Sequence, residues 1–239
     1  MMSYNKKCRI ATRENVMPLV GNEIIAKEAV SKKQLEFNRR ENEILKAAIS
    51  LFKGPHWETV TVEQIAKKAD IGKGTVYKHF ICKEEIYAHI TICFTRRILI
   101  AFDAIPEHPE VIDSLKEIIS IAFGLFLNNP AEARVSFYCK RGDFRERLTP
   151  SLKREFDSLD LQFETDIGTV LQKGIQQGLF PNKPVEHLMM GLEATFDGAI
   201  SSIWNGEVNC KKAEDVEVYV NIISEYMLAG LVGLASKQR

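Results

Sequence analysis

Along most of this 239-residue chain the apolar positions recur at helical rather than strand spacing. Ile44, Ala48 and Leu51 fall on one face, with Leu45, Ile49 and Phe52 beside them, and Gly54-Pro55 ends the run. Thr61 then stands where a helix N-cap belongs, and Gln64 three residues on completes a capping box. Val62, Ile65, Ala66 and Ala69 form a narrow apolar stripe, with Ala66 small where a crossing helix must come close. Asp70-Ile71-Gly72 interrupts the stripe, and a further short helix follows in which Val76 and Phe80 point back to the core. Beyond Phe80, breaks near Pro106–Pro109, Asn128–Pro130, Arg141–Gly142, Thr149-Pro150, Gly178–Pro184 and Asn205–Lys212 leave helices near 83–104, 109–128, 130–140, 150–178, 184–204 and 213–236. No alternation with hairpin signals interrupts them. The pattern predicts an all-α fold of about nine helices: three in an N-terminal domain at 38–83, six in a C-terminal domain at 84–239. An arm at 1–37, flexible or part-helical, precedes them.

Three short helices with a tight turn between the second and third form a helix-turn-helix, the arrangement that pushes one helix into the major groove of DNA. A solvated helix face ordinarily carries Glu, Lys and Gln. Here the outward side of the third helix shows Lys73, Thr75, Tyr77, Lys78 and His79 with no carboxylate, and Lys83 opens the next helix. Those groups can all donate to phosphate oxygens or base edges. Gly72 and Gly74 keep the helix start slim, so that its amides can approach a phosphate. The expected DNA-binding residues are Thr61, Lys73, Gly74, Thr75, Tyr77, Lys78, His79 and Lys83.

The segment resembles the DNA-binding domain of the tetracycline-repressor (TetR) family of bacterial transcription regulators. The resemblance rests on Ala47-Ala48, Leu51-Phe52, Thr61, Ile65-Ala66, the run Lys73-Gly74-Thr75-Val76-Tyr77-Lys78-His79-Phe80 and the pair Lys83-Glu84. It covers about 45 residues. Two positions depart from the family's pattern: Asp70 stands where Gly is usual, and Gly72 where Ser is usual. Asp tolerates a left-handed turn moderately well, and Gly is a weaker cap. The resemblance implies a homodimer, a ligand pocket in the C-terminal helices and control of transcription.

Formal charge sums to zero, yet residues 1–83 hold 16 Lys and Arg against 9 Asp and Glu, and residues 84–239 hold 16 against 23. A basic amino-terminal third supports the DNA reading without establishing it. The arm carries seven Lys and Arg against four Glu. It is either a basic segment that touches the DNA backbone or minor groove, or an upstream extension with Met17 the true start. Five cysteines, Cys8, Cys82, Cys93, Cys139 and Cys210, make an odd count with no close pairing, which fits a reducing cytoplasm and neither a disulfide framework nor a zinc site. No metal or cofactor is expected, no signal peptide is visible, and Ile118–Leu127 is too short to span a bilayer.

Two regions admit two readings each. In 184–204 and 213–236, Leu192, Phe196, Ile203, Tyr219, Ile223, Tyr226 and Gly230 belong to apolar stripes that either pack within one subunit or form a four-helix dimer interface. Gly191, Gly198, Ala229 and Gly233 would permit close helix approach there. Phe94, Phe102, Phe123, Phe126, Phe137, Tyr138, Phe163 and Phe196 either line a pocket for an unidentified small-molecule effector or are plain core. The Arg-rich block Arg134–Arg147 holds a polar ligand group or is a solvated turn. A helical-bundle enzyme is the competing class, but none of His56, His79, His89, His108 and His187 has a Glu three residues before it, as a di-metal site needs. The last alternative is a helical interaction protein that does not read DNA.

Overall fold

In the computed structural model, residues 32–208 and 212–236 are described. Within them the chain forms ten α-helices and one 3₁₀ turn, in the order α1 Lys32–Leu51, the turn Trp57–Thr59, α2 Val62–Lys68, α3 Lys73–His79, α4 Lys83–Asp103, α5 Val111–Asn128, α6 Pro130–Cys139, α7 Gly142–Glu146, α8 Pro150–Gln176, α9 Val185–Trp204 and α10 Ala213–Ser236. The all-α class is as the spacing predicts. The count is one higher than expected because the break after Arg141 itself coils into α7, whose Phe144 is buried. Residues 1–31, with Met17 and Cys8, lie outside the described residues, as does Cys210. Of the expected arm, residues 32–37 form the first turns of α1.

The chain divides into two compact units between Ile86 and Tyr87. In the first, Ile44, Leu45, Ala48, Phe52, Ile65, Val76 and Phe80 are fully buried. They come from α1, α2, α3 and the flanking loops. Burial of each large side chain contributes about 1.5–3 kcal/mol. In the second unit α5, α8, α9 and α10 surround a core that includes Phe94, Leu115, Phe123, Leu171, Phe180 and Ile200.

Three helices end in the same way. After α2 the amide of Ile71 bonds the Ala66 carbonyl and that of Asp70 bonds Lys67. Leu179 and Gly178 do the same to Gly174 and Ile175 after α8, and Glu207 and Gly206 to Ser202 and Ile203 after α9. This paired bonding closes a helix through one left-handed residue. Gly178 and Gly206 take it at φ 68°, and Asp70 at 54°. Asp70 thus adopts the left-handed turn between α2 and α3 where glycine would be unstrained.

Among the described helices, α10 is long and apolar enough to cross a bilayer, and only 22% of its most apolar stretch is buried within the chain. Its unburied apolar side chains bear on assembly, below.

Candidate nucleic-acid interface

Thr61 is the N-cap of α2: its hydroxyl accepts from the Gln64 amide at 3.2 Å while Gln64 Oε1 accepts from the Thr61 amide at 2.8 Å. The capping box fixes where α2 starts, so that Val62, Ile65 and Ala66 all turn inward. The turn through Asp70 then launches α3 from Gly72, which caps without a side chain. Only Val76 of α3 is fully buried, with Phe80 just beyond it. Two apolar anchors on a seven-residue helix leave its opposite face to solvent.

That face carries Lys73, Gly74, Tyr77 and Lys78, all exposed, with Thr75 half-buried. Tyr77 is 45% exposed, and the Lys73 ammonium lies 5.7 Å from its ring centroid. Lys73 also ion-pairs with Glu63 of α2, which raises its pKa and lowers that of the carboxyl, in each case chiefly through the hydrogen bond between them. Its positive charge is therefore shared between a carboxylate and an aromatic face rather than projected freely.

Two expected contacts are corrected by the structure. His79 does not face outward: its side chain is 7% exposed, and its ring lies 4.2 Å from that of Phe37 in α1. Its Nδ1 is buried, with no hydrogen-bond partner among the described residues, 3.8 Å from Glu41 Oε1. Burial first, and the Arg40 charge second, lower its pKa, while burial raises that of Glu41. The helical pattern placed His79 with Tyr77 and Lys78 because it took no account of α1 extending back past Phe37. Lys83 is likewise engaged within the unit, donating to the carbonyls of Glu58 at 2.7 Å and Val60 at 3.1 Å. It holds the 3₁₀ turn and the extended Val60 that lead into α2.

In the second unit the expected pocket residues pack on one another. Phe94 and Phe126 lie 5.1 Å apart, Phe123 and Phe196 4.6 Å, Phe126 and Phe137 5.8 Å, and Phe102 and Phe163 5.7 Å between centroids. Tyr138 instead stands beside Phe144, with Arg141 over its ring and Arg147 donating to its hydroxyl at 3.4 Å. A groove of 410 Å³, which no periodicity in the chain foreshadows, runs along α8, lined by Glu164, Thr165, Gly168, Thr169, Gln172 and Lys173 among others. Lys140, at the end of α6, reaches α9 and is held by Glu193 at 2.9 Å and Asp197 at 3.0 Å.

The seven candidate interface residues separate into two groups. Leu192, Phe196, Tyr219 and Ile223 pack against the subunit's own core, and Ile203 is half-buried. For these five the reading of packing within one subunit has the support of the contacts: on α10 the inward stripe runs through 219 and 223, and the outward one through 218 and 222. Tyr226 and Gly230 do lie on the outer side, where Val218 and Ile222 are each 58% exposed and Tyr226 72%. Met190, Gly191, Ala194 and Gly198 of α9 are also exposed. A β-carbon at Gly191, Gly198, Gly230 or Gly233 would meet nothing within 4 Å among the described residues, so no described helix requires those glycines. The signal for this face was present in the sequence as the fourfold spacing 218, 222, 226, 230.

A capped helix, a left-handed turn and a short helix with an exposed donor face define a helix-turn-helix regulator of transcription that binds DNA. Residues 44–90 match the family described as bacterial regulatory proteins, tetR family. YfiR of Bacillus subtilis strain 168, an uncharacterized HTH-type transcriptional regulator, is 29% identical over 153 residues, which span 63% of this chain and 72% of YfiR. Among solved structures, PfmR of Thermus thermophilus, a TetR family transcriptional regulator, superposes with a TM-score of 0.62 at 19% identity, over 77% of this chain and 96% of its own. FadR of Bacillus subtilis, solved in complex with stearoyl-CoA, superposes with a TM-score of 0.61 at 21% identity, over 79% and 98%. Residues 44–90 are thus similar to the DNA-binding domain of the tetR family, and the chain is a DNA-binding transcriptional regulator.

Proposed function

We propose that the chain is a ligand-responsive repressor that acts as a cytoplasmic homodimer on a palindromic operator, and is not an enzyme. The observation that carries the dimer is the apolar outer face of α9 and α10, with Val218, Ile222 and Tyr226 exposed beside glycines that nothing in the subunit approaches. Soluble monomers rarely leave so continuous an apolar stripe in water. A two-fold pairing of α9 and α10 with a second copy covers it and supplies the second recognition helix that a palindrome requires, about 34–36 Å away. The DNA-reading residues of each copy are Lys73, Gly74, Thr75, Tyr77 and Lys78 on α3, with Thr61 at the start of α2. In this reading residues 38–83 form the DNA-binding domain and 84–239 the ligand-binding and dimerisation domain. The basic arm at 1–37 adds contacts to the DNA backbone.

The effector takes support from the fold it shares with FadR of Bacillus subtilis, whose structure holds stearoyl-CoA, and from the aromatic interior around Phe126 and Phe137. The helix α4 carries the signal, since its first turn belongs to the first unit and the rest to the second. Ligand acts only through different affinities for the two spacings of the recognition helices.

The test is Ile222→Glu combined with Tyr226→Glu, followed by sedimentation and by binding to a duplex selected from a random pool. Monomers with at least a hundredfold weaker specific binding are the expected result, because each lone half-site loses the linked second contact. A double variant that remains dimeric and binds as the wild type does rejects the interface. Added long-chain acyl-CoA should raise the unfolding temperature and release the duplex; absence of both effects rejects that effector class.

A further inference from the structure

The family match begins at residue 44, yet α1 begins at Lys32, and the turns in between meet the recognition helix. Phe37 covers the His79 ring at 4.2 Å, and Glu41 lies one turn on with its carboxylate 3.8 Å from His79 Nδ1. Phe37 itself stays partly open to water, so its ring does not belong to the interior of the unit. Its ring contact is with the last residue of α3. A helix of seven residues with no side-chain cap is too short to hold itself, so its orientation depends on such contacts. Val76 and Phe80 anchor one side of it, and Phe37 on His79 anchors the C-terminal end from another direction.

We infer that Phe37 and Glu41 of the α1 extension brace the recognition helix through His79, making His79 a positioning residue for operator binding rather than a group that touches DNA. This rests on the DNA-binding reading above and assigns His79 a role within it. Phe37 braces the face of the imidazole, and Glu41 flanks its edge at 3.8 Å. The brace cannot transmit more than its own contact energy, so its loss weakens operator binding by about three- to tenfold, the scale of one aromatic pair.

The experiment compares operator affinity and its salt dependence for the full chain, Phe37→Ala, Phe37→Tyr and His79→Ala, with unfolding temperature measured for each. Phe37→Ala and His79→Ala should both bind about three- to tenfold more weakly, with the slope of log affinity against log salt unchanged. Phe37→Tyr, which keeps a ring over His79, should restore binding. If His79 met a phosphate as an imidazolium, His79→Ala would flatten the slope by about 0.9, and if it met one as a neutral donor, Phe37→Ala would leave affinity unchanged while His79→Ala lowered it; either outcome overturns the brace. Equal binding by the full chain and Phe37→Ala overturns it as well. A Phe37→Ala weakening that Phe37→Tyr fails to restore also counts against it. A full chain that selects no duplex at all brings down the DNA reading, and this inference with it.

Discussion

Replacing Gly174 by alanine adds one methyl group to the last turn of α8, the longest helix, and should destabilise the second unit. A β-carbon there would sit 2.1 Å from Cδ2, 2.2 Å from Cε2 and 2.9 Å from Cγ of Phe180. The closeness follows from the end of α8: the amides of Leu179 and Phe180 both bond the Gly174 carbonyl, at 2.9 and 3.1 Å, folding the chain back over the helix. Phe180, 2% exposed, therefore lies across the bare backbone of Gly174. Overpacking a core by a methyl group costs about 1–3 kcal/mol. Alanine recovers about 1 kcal/mol of helix propensity. Because the overlap is with a fully buried ring, the cost lies in the upper part of that range, at about 2–3 kcal/mol, and the net prediction is a loss of roughly 1–2 kcal/mol, or about 2–8 °C in unfolding temperature for a protein of this size. Thermal unfolding followed by circular dichroism measures it, and a double-mutant cycle isolates the cause. In a Phe180→Ala background the obstruction is gone, so Gly174→Ala should change sign and stabilise by up to about 1 kcal/mol. If Gly174→Ala is as stable as the wild type, or destabilises equally in both backgrounds, the argument from Phe180 is wrong.

Asp70 adopts φ 54°, so Asp70→Gly should stabilise the first unit by up to about 1 kcal/mol and Asp70→Val should destabilise it by about 1–2 kcal/mol, as read by urea unfolding. Glu63→Gln frees Lys73 and removes a negative charge beside the DNA face, so operator affinity should rise about two- to fivefold at low salt, and the gain should shrink as salt is added. His79 has a pKa lowered below 6.5 by burial, so the folded state resists protonation. Its contribution is intact above pH 6.5 and is lost as pH falls through the folded value; a His79→Phe variant should lose less stability than the wild type across that interval. Glu41, with its pKa raised above 4.5, acts in the opposite sense: stability returns as pH drops through its raised value, and Glu41→Gln should abolish that return.

Local rules carried most of the amino-terminal unit. The Thr61 and Gln64 box, the stripe of Val62, Ile65 and Ala66, and the inward Val76 and Phe80 are all decided by neighbours within a few residues, and each stands as the spacing predicts. His79 and Lys83 failed for a shared reason. Their partners, Phe37 and the Glu58 and Val60 carbonyls, are 42, 25 and 23 residues away, and no periodicity encodes such a meeting. On α10 the sequence showed apolar residues around much of the helix, so two stripes one residue apart competed. Tyr219 and Ile223, which fit either packing within the subunit or an interface, meet the core, leaving Val218 and Ile222 outside. The short helix α7 lay in a segment read as a turn because five residues are too few to show a period.

Gly74 offers a separate probe of what approaches α3 from outside. A β-carbon at this position would meet nothing within 4 Å, and no positive φ requires glycine there. Within the unit, then, alanine should be the better residue: it removes backbone freedom from the unfolded chain and favours the helix by up to about 1 kcal/mol. If the DNA backbone passes close to the start of α3, the same methyl group stands between them and displaces the helix outward. The two effects have opposite signs in two different measurements. Gly74→Ala should raise the unfolding temperature of the free protein and weaken specific duplex binding by about tenfold or more, the scale of one lost close phosphate approach. Tighter or unchanged binding would mean that DNA keeps its distance from Gly74, and the reading face would then have to be centred on Tyr77 and Lys78 at the other end of the helix.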